Sequence, residues 1–291
     1  MSQKTPAPWT GLVSSPTIDV LPLVEKQGGS YHPGWVSYDD TVADSPDVEI
    51  LSGGVNEKPS IGAALWRQGN LFHFGFDLKP SDMNDVGRAL LVDSIVYISK
   101  FRQERAICAT PSAFSGGARS RGSAAKALDN EEYGIPRFKI AFGQGVLDGI
   151  PEDRAALREW FVANRAFLHP GKYGLLEIDP DAHLLGLDYD LVDSLDRAVE
   201  ILAEPAADDA AKARTQAASR LLVRYVPEGP GAGADSAEWE RWLEANRPYL
   251  FFSEWGGYRW YVDPLAKARG VPTEKLHGPA RADVEAPGET H

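Results

Sequence analysis

Two stretches of this chain read alike: Trp160-Phe161-Val162-Ala163-Asn164-Arg165-Ala166-Phe167-Leu168 and Trp242-Leu243-Glu244-Ala245-Asn246-Arg247-Pro248-Tyr249-Leu250, offset by 82 residues. A second pair follows in the same order, Ile178-Asp179-Pro180-Asp181-Ala182 with Gly186 and Val262-Asp263-Pro264-Leu265-Ala266 with Gly270, offset by 84. Two blocks that agree in residues and in order point to duplication of one supersecondary unit. Each copy reads as helix, aromatic or Gly loop, strand, Asp-Pro turn and short helix, because the Asp side chain and the fixed φ of Pro together set a turn. So long a period in only two copies is not a solenoid. The expectation is a pseudo-symmetric pair of units packed against each other, with helices over 190–203 and 209–225 between them. Trp160, Trp242, Leu168 and Leu250 read as core anchors. Asn-Arg at the helix end reads as a carbonyl cap or as a partner of Asp179 and Asp263.

Outward from the duplication, the chain divides into residues 1–105, a Gly/Ser/Pro-rich connecting segment 106–152, the tandem repeat 153–277 (copies 153–203 and 235–277), and a tail 278–291 without apolar periodicity, expected to be disordered. Apolar residues make up 43% and charged residues 25%, enough for a packed core. The net charge of −12 falls mostly on residues 153–291 and argues against phosphate backbones and anionic membrane surfaces, so no nucleic-acid partner is expected. No apolar run approaches the roughly 18 residues of a membrane span. The lone Cys108 excludes an intrachain disulfide. The polar, Pro-containing start before Trp9 suits a mature exported protein, periplasmic or extracellular; a cytoplasmic location is the alternative.

In the first segment, Ala63–Arg67 and Leu71–Phe76 flank Gln68-Gly69-Asn70, a hairpin whose Gly supplies positive φ. Phe72, Phe74 and Phe76 on one face and Leu71 and His73 on the other predict a strand buried on both faces. Asp47–Leu51 reads as a further strand, and Ser81 as the N-cap of a helix reaching about Phe101 with a broad apolar face. The fold class is therefore α+β (mixed α/β): an N-terminal strand-hairpin-helix layer, then a tandem duplicated, mostly helical unit with short strands.

The stretch Ile61–Asp77 followed by Arg88–Phe101 resembles the closing part of trehalose-utilisation (ThuA-like) domains, relatives of the class I glutamine amidotransferase fold. The resemblance covers residues 46–101. It implies a strand pair and a helix and carries no catalytic residues, because Cys108 follows the helix instead of preceding it on an elbow. The whole layout looks like that of uncharacterised bacterial proteins, often exported.

The copies differ between their strands. The first carries His169-Pro170-Gly171-Lys172-Tyr173-Gly174; the second carries Phe251–Tyr261, with six aromatics among eleven residues. Trp255, Tyr258 and Trp260 beside Glu254 and Arg259 suit stacking on sugar rings while fixing hydroxyls, and equally suit a protein interface. Plain core is the competing reading. Asp39, Asp40, His32 and His73 are the weak catalytic candidates, as acids and imidazoles near aromatics. The Gly/Ser loop 115–123 with Arg119 and Arg121 lacks nucleotide-loop spacing and reads as a surface loop. No histidines pair at metal-ligand spacing, so no metal site and no cofactor are expected. Three readings remain: a non-enzymatic module binding a glycan or protein through 251–261, a carbohydrate-active hydrolase or lyase using the N-terminal acids and His, and a structural homo-oligomer subunit. Whether the chain is an enzyme stays open at this point.

Overall fold

The computed structural model describes residues 2–4, 15–24, 45–54, 62–108, 121–129, 131–171, 173–205, 207–254 and 256–277. It has both helices and strands, a mixed α+β fold. The chain divides into two compact units, Met1–Ile107 and Cys108–His291. Among the described residues, no helix is long and apolar enough to cross a membrane.

The first unit pairs β1 (Ser2–Lys4) with β2 (Thr17–Asp19), and orders β3 (Val48–Gly54), β4 (Gly62–Gln68) and β5 (Leu71–Phe74) as an antiparallel sheet with β4 central. Ala63, Ala64 and Leu65 of β4 are buried. Gly69 closes the hairpin at φ +52°, and a Cβ there would come within 2.4 Å of the Ala106 backbone nitrogen, so the position needs Gly twice over. β5 corrects the expectation of a strand buried on both faces: it is the sheet edge, and Leu71 is 60% exposed. Aromatic content on both faces was satisfied there by ring pairing, Trp66 with His73 at 5.5 Å and Phe74 with Phe76 at 5.2 Å.

The helix α1 (Asp85–Ser99) starts later than expected. Asn84, not Ser81, is the N-cap, its side-chain oxygen accepting from the Gly87 N–H at 2.9 Å, while the Ser81 hydroxyl turns to Asp82. Both are good capping residues; Asn84 also donates to the Pro22 carbonyl at 3.0 Å, which fixes it at the helix mouth. The helix is tied to the sheet by Tyr97, whose hydroxyl donates to Glu49 at 2.6 Å, and by Arg67, paired with Glu49 at 3.0 Å and lying 3.7 Å over the Phe101 ring. Burial alone would raise the Glu49 carboxyl, but the bonds from Tyr97 and Arg67 hold it below its ordinary value.

In the second unit the duplicated segments build the same elements with matching helix-end hydrogen bonds. Copy one runs through α5 (Arg154–Asn164), a 3₁₀ turn, β6 (Leu168–Pro170), β7 (Leu176–Ile178) and α6 (Pro180–Leu185); copy two through α9 (Ser236–Asn246), a 3₁₀ turn, β8 (Leu250–Ser253), β9 (Arg259–Val262) and α10 (Pro264–Arg269). Asp153 and Asp235 cap the first helices. Asn164 and Asn246 donate to the carbonyls of Trp160 and Trp242 at 2.8 and 2.7 Å, the capping alternative for this pair. Arg247 pairs with Asp196 instead of Asp263. Asp179 and Asp263 each accept from two backbone N–H groups at the start of the next helix, where Pro occupies the first turn because its missing N–H is not needed. Gly186 and Gly270 end those helices at φ +65° and +64°, the left-handed cap that Gly allows.

Between the copies lie α7 (Val192–Ala203) and α8 (Asp209–Tyr225), as the periodicity predicts. Before them come α2 (Arg121–Ala127), α3 (Gly134–Lys139) and α4 (Gln144–Leu147); Ala124 of α2, Phe138 of α3 and Leu128 and Phe142 in the turns after them join one core with Leu157, Leu195, Leu221 and Trp239. The described part of segment 106–152 is thus core-forming, with Phe138 and Phe142 packed on Trp160 and Phe161.

The Asp179 carboxylate has no exposed side-chain surface and is met by Arg224 and by the Tyr225 hydroxyl, besides its two N–H donors. Replacing it leaves the Tyr225 hydroxyl and two helix N–H groups without their acceptor and takes from Arg224 one of its two carboxylate partners, the other being Asp181. Asp179→Ala is expected to lower the stability of this unit by about 3–5 kcal/mol in denaturant titration, the range for breaking a buried ion pair.

Candidate functional site

The β8–β9 hairpin pairs Leu250 with Val262, Phe251 with Tyr261, Phe252 with Trp260 and Ser253 with Arg259. Opposed residues share a face and successive residues alternate. Phe252 and Trp260 therefore point one way, into the core that holds Tyr189 and Tyr225. Phe251 and Tyr261 point the other way, their rings stacked at 5.8 Å and 26°, both half-buried, with Arg259 half-buried beside them. Tyr261 also donates its hydroxyl to the Gly256 carbonyl, which holds the ring against the Gly256-Gly257 turn.

This placement corrects the sugar platform expected from the sequence. Tyr258 is 0% and Trp260 7% exposed, so neither offers a ring face to a ligand. The Trp260 indole donates to the Tyr189 carbonyl at 2.8 Å, a bond that requires it to lie inside. Tyr258 has φ +58°, the one non-Gly residue with positive φ among the described residues. A bulky residue stays there only when the surroundings over-determine it. Here they do: its ring is buried, and its hydroxyl accepts from the Arg121 N–H at 3.1 Å and donates to Glu254 at 3.4 Å. Burial, then the Glu254 charge, pushes the Tyr258 phenol well above its ordinary value.

Glu254 likewise turns inward. It pairs with Arg121 at 2.8 Å, and Arg121 pairs with Asp190 at 2.6 Å and donates to the Arg165 carbonyl at 3.2 Å. Arg121 is 1% exposed, which corrects its reading as part of a surface loop. Burial disfavours its charge, but the Glu254, Tyr189 and Asp190 groups more than compensate and raise its pKa. Behind this pair stands Asp188, pushed up to about 7 by burial, by hydrogen bonding to Asp190 and by the Asp190 charge. Burial works against Asp190 too, yet the bonds from Asp188 and Arg121 keep its carboxyl below the usual range.

Of the expected ligand residues, then, Arg259 alone among those described is placed near the outward aromatic pair; Trp255 lies outside the described residues. So do Asp39, Asp40 and His32, while His73 belongs to the first unit and stacks on Trp66. Among the described residues no cluster of three or more His, Cys, Asp or Glu side chains could hold a metal ion. Sequence reasoning missed Phe251 and Tyr261 as the outward pair, although the alternation along 250–253 carried the signal, and missed the joining of Arg121 to Asp188 and Asp190. The Asp-Tyr-Asp run 188–190 and the Arg are 67 residues or more apart, with no spacing rule to connect them.

The first copy sharpens the comparison. Its cross-strand pair at the position of Phe251 and Tyr261 is His169 and Glu177. Burial, ahead of the neighbouring charges, lowers the His169 imidazole. Core-facing positions keep their character in both copies, Leu168 and Leu250, Ala182 and Ala266, whereas the outward pair changes chemistry. No family model, curated protein or solved structure matches this chain.

Two substitutions test the inward assignment. Trp260→Ala is expected to lower stability by about 3 kcal/mol or more, as for a core aromatic. Tyr258→Phe, which strands the Arg121 N–H while keeping the ring, should lower it by about 1–3 kcal/mol. Both are read in denaturant melts; a change within a few tenths for Trp260→Ala would place that ring outside the core.

Proposed function

We propose that this chain is a non-enzymatic binding module, exported to the periplasm or beyond, whose second-copy hairpin meets a glycan through Phe251, Tyr261 and Arg259. The observation that carries the reading is the half-buried stacked pair on the hairpin face opposite the one committed to the core. An aromatic face takes the C–H side of a sugar ring, and a guanidinium beside it donates to hydroxyls at fixed geometry. The net charge of −12 favours a neutral or basic ligand over an acidic one. The ThuA-like ancestry of residues 46–101 is part of this proposal as a scaffold, with no amidotransferase chemistry attached.

A tryptophan-fluorescence titration against a panel of neutral oligosaccharides tests it, since Trp260 lies directly behind the pair. A saturable response is expected, weakened about tenfold, or about 1.4 kcal/mol, by Phe251→Ala and by Arg259→Ala. Silence across the panel, or a response that both variants keep, would remove the hairpin as the binding surface. A melting temperature that rises with protein concentration would support the homo-oligomer reading in its place.

A further inference from the structure

The broad apolar face expected of α1 is wider than the first unit uses. Gly87 and Ser94 lie on one side of the helix and are buried, and a Cβ at Gly87 would come within 2.5 Å of the Leu23 carbonyl oxygen. With about 3.6 residues per turn, the opposite side carries Asp85, Ala89, Val92, Val96 and Ser99, with Ile95 beside Val92. All six are exposed, and Val92, Ile95 and Val96 are each more than half exposed. A single exposed apolar residue is ordinary, whereas three large ones in adjoining turns form a patch of the kind that marks a contact. The two ends of this stripe carry opposite charges. Asp85 is almost wholly in solvent, with Oδ1 paired to Arg88 at 2.5 Å. Lys100 follows the last turn, its ammonium 5.4 Å from the Tyr97 ring and bonded to no carboxylate among the described residues.

We propose that this stripe is the contact between two copies of the chain, their α1 helices packed antiparallel across a twofold axis near Val92. The stripe is self-complementary in that arrangement. Its centre, counted from Asp85 to Lys100, falls between Val92 and Asp93. A twofold axis there sets Val92 beside Val92, Ala89 beside Val96, and Asp85 at the level of Lys100 of the second copy, twice over. A parallel pair would set Asp85 against Asp85 and Lys100 against Lys100, and would align the two helix dipoles, both unfavourable. Asp93 lies at the edge of the stripe and stays in water. The 15 residues of α1 span about 22 Å, and one helix pair of that length covers less than the roughly 1,600 Å² of a standard interface. The dimer is therefore reversible, formed at high protein concentration and lost on dilution. It uses no residue of the second unit, so it holds or fails independently of what the hairpin binds.

Sedimentation equilibrium of the full chain tests the proposal. The mass should rise from 31.7 kDa towards twice that value between about 1 μM and about 1 mM. Val92→Lys, at a position in solvent, should stay monomeric throughout and keep the far-UV circular dichroism of the unsubstituted protein. Lys100→Glu, which makes both end pairs repulsive, should raise the dissociation constant about tenfold. Cross-linking reads the direction of packing: Val92→Cys should oxidise to a covalent dimer, whereas Ser99→Cys, about 20 Å from its equivalent in this register, should not. The unsubstituted chain, whose one thiol is the buried Cys108, is the blank. A mass of 31.7 kDa at every concentration would overturn the proposal, as would a dimer that Val92→Lys keeps, or Ser99→Cys cross-linking as fast as Val92→Cys. Flotation of the dilute protein with phosphatidylcholine vesicles, abolished by Val92→Lys, would give the stripe to a lipid surface and overturn it too. Any concentration dependence of melting that survives in Val92→Lys belongs to another contact, which separates this dimer from an oligomer built by the repeats.

Discussion

The second unit depends on a carboxylate that water cannot reach. Asp179 sits at the junction between a strand and a helix, where its side chain ends the first and starts the second. An unpaired charge in that position would cost several kcal/mol, a large share of a typical domain's net stability. It is offset by four donors from three directions: two N–H groups of its own turn, Arg224, and the Tyr225 hydroxyl. Arg220 and Arg224, one turn apart on α8, both reach Asp181, and Arg224 and its neighbour Tyr225 reach Asp179. From Tyr225 the connection continues: its ring stacks on Tyr189, whose hydroxyl donates to the Leu168 carbonyl and whose own carbonyl accepts from Trp260. One polar and aromatic chain thus runs from the turn of copy one to the hairpin of copy two.

That chain explains why duplication did not leave two equal halves. Copy one has the paired acids Asp179 and Asp181 under α8; at the second of these positions copy two has Leu265, 44% exposed. Copy two uses a different lock. Lys267 donates to Asn246 at 2.6 Å, and Glu254 reaches Arg121 in a helix that precedes both copies. The backbone unit is kept while the charges that fasten it are redistributed, because each copy meets different neighbours.

The sequence was most legible where a local rule acts. The Asp-Pro turns, the Gly caps and the hairpin at Gly69 follow from residue types within one turn of each other, and the duplication from two blocks that agree in residues and order. The helix start in the first unit was displaced because Ser81 and Asn84 both qualify as caps, and a contact with Pro22, 62 residues away, selects Asn84. The aromatic loop misled for a related reason. Its density of rings exceeds what a lone strand buries, but the ring stack on Tyr189 and the Arg121 cluster supply the additional interior surface, and neither can be seen from residues 251–261. The candidate site was therefore only partly legible: Arg259 stayed near the surface, while Tyr258, Trp260 and Glu254 went inward.

The face of a short hairpin that is not in the core is where a duplicated unit is free to change. A substitution at Leu250 or Trp260 disturbs close packing, for which protein interiors have little tolerance. A substitution at the outward pair alters side chains that lie outside that core cluster. His169 and Glu177 occupy that pair in copy one, Phe251 and Tyr261 in copy two, on the same two-stranded frame. The frame alone does not require rings there, since the first copy keeps its hairpin without them. What the rings add is a stacked pair, 5.8 Å between centroids, where copy one sets an imidazole against a carboxylate.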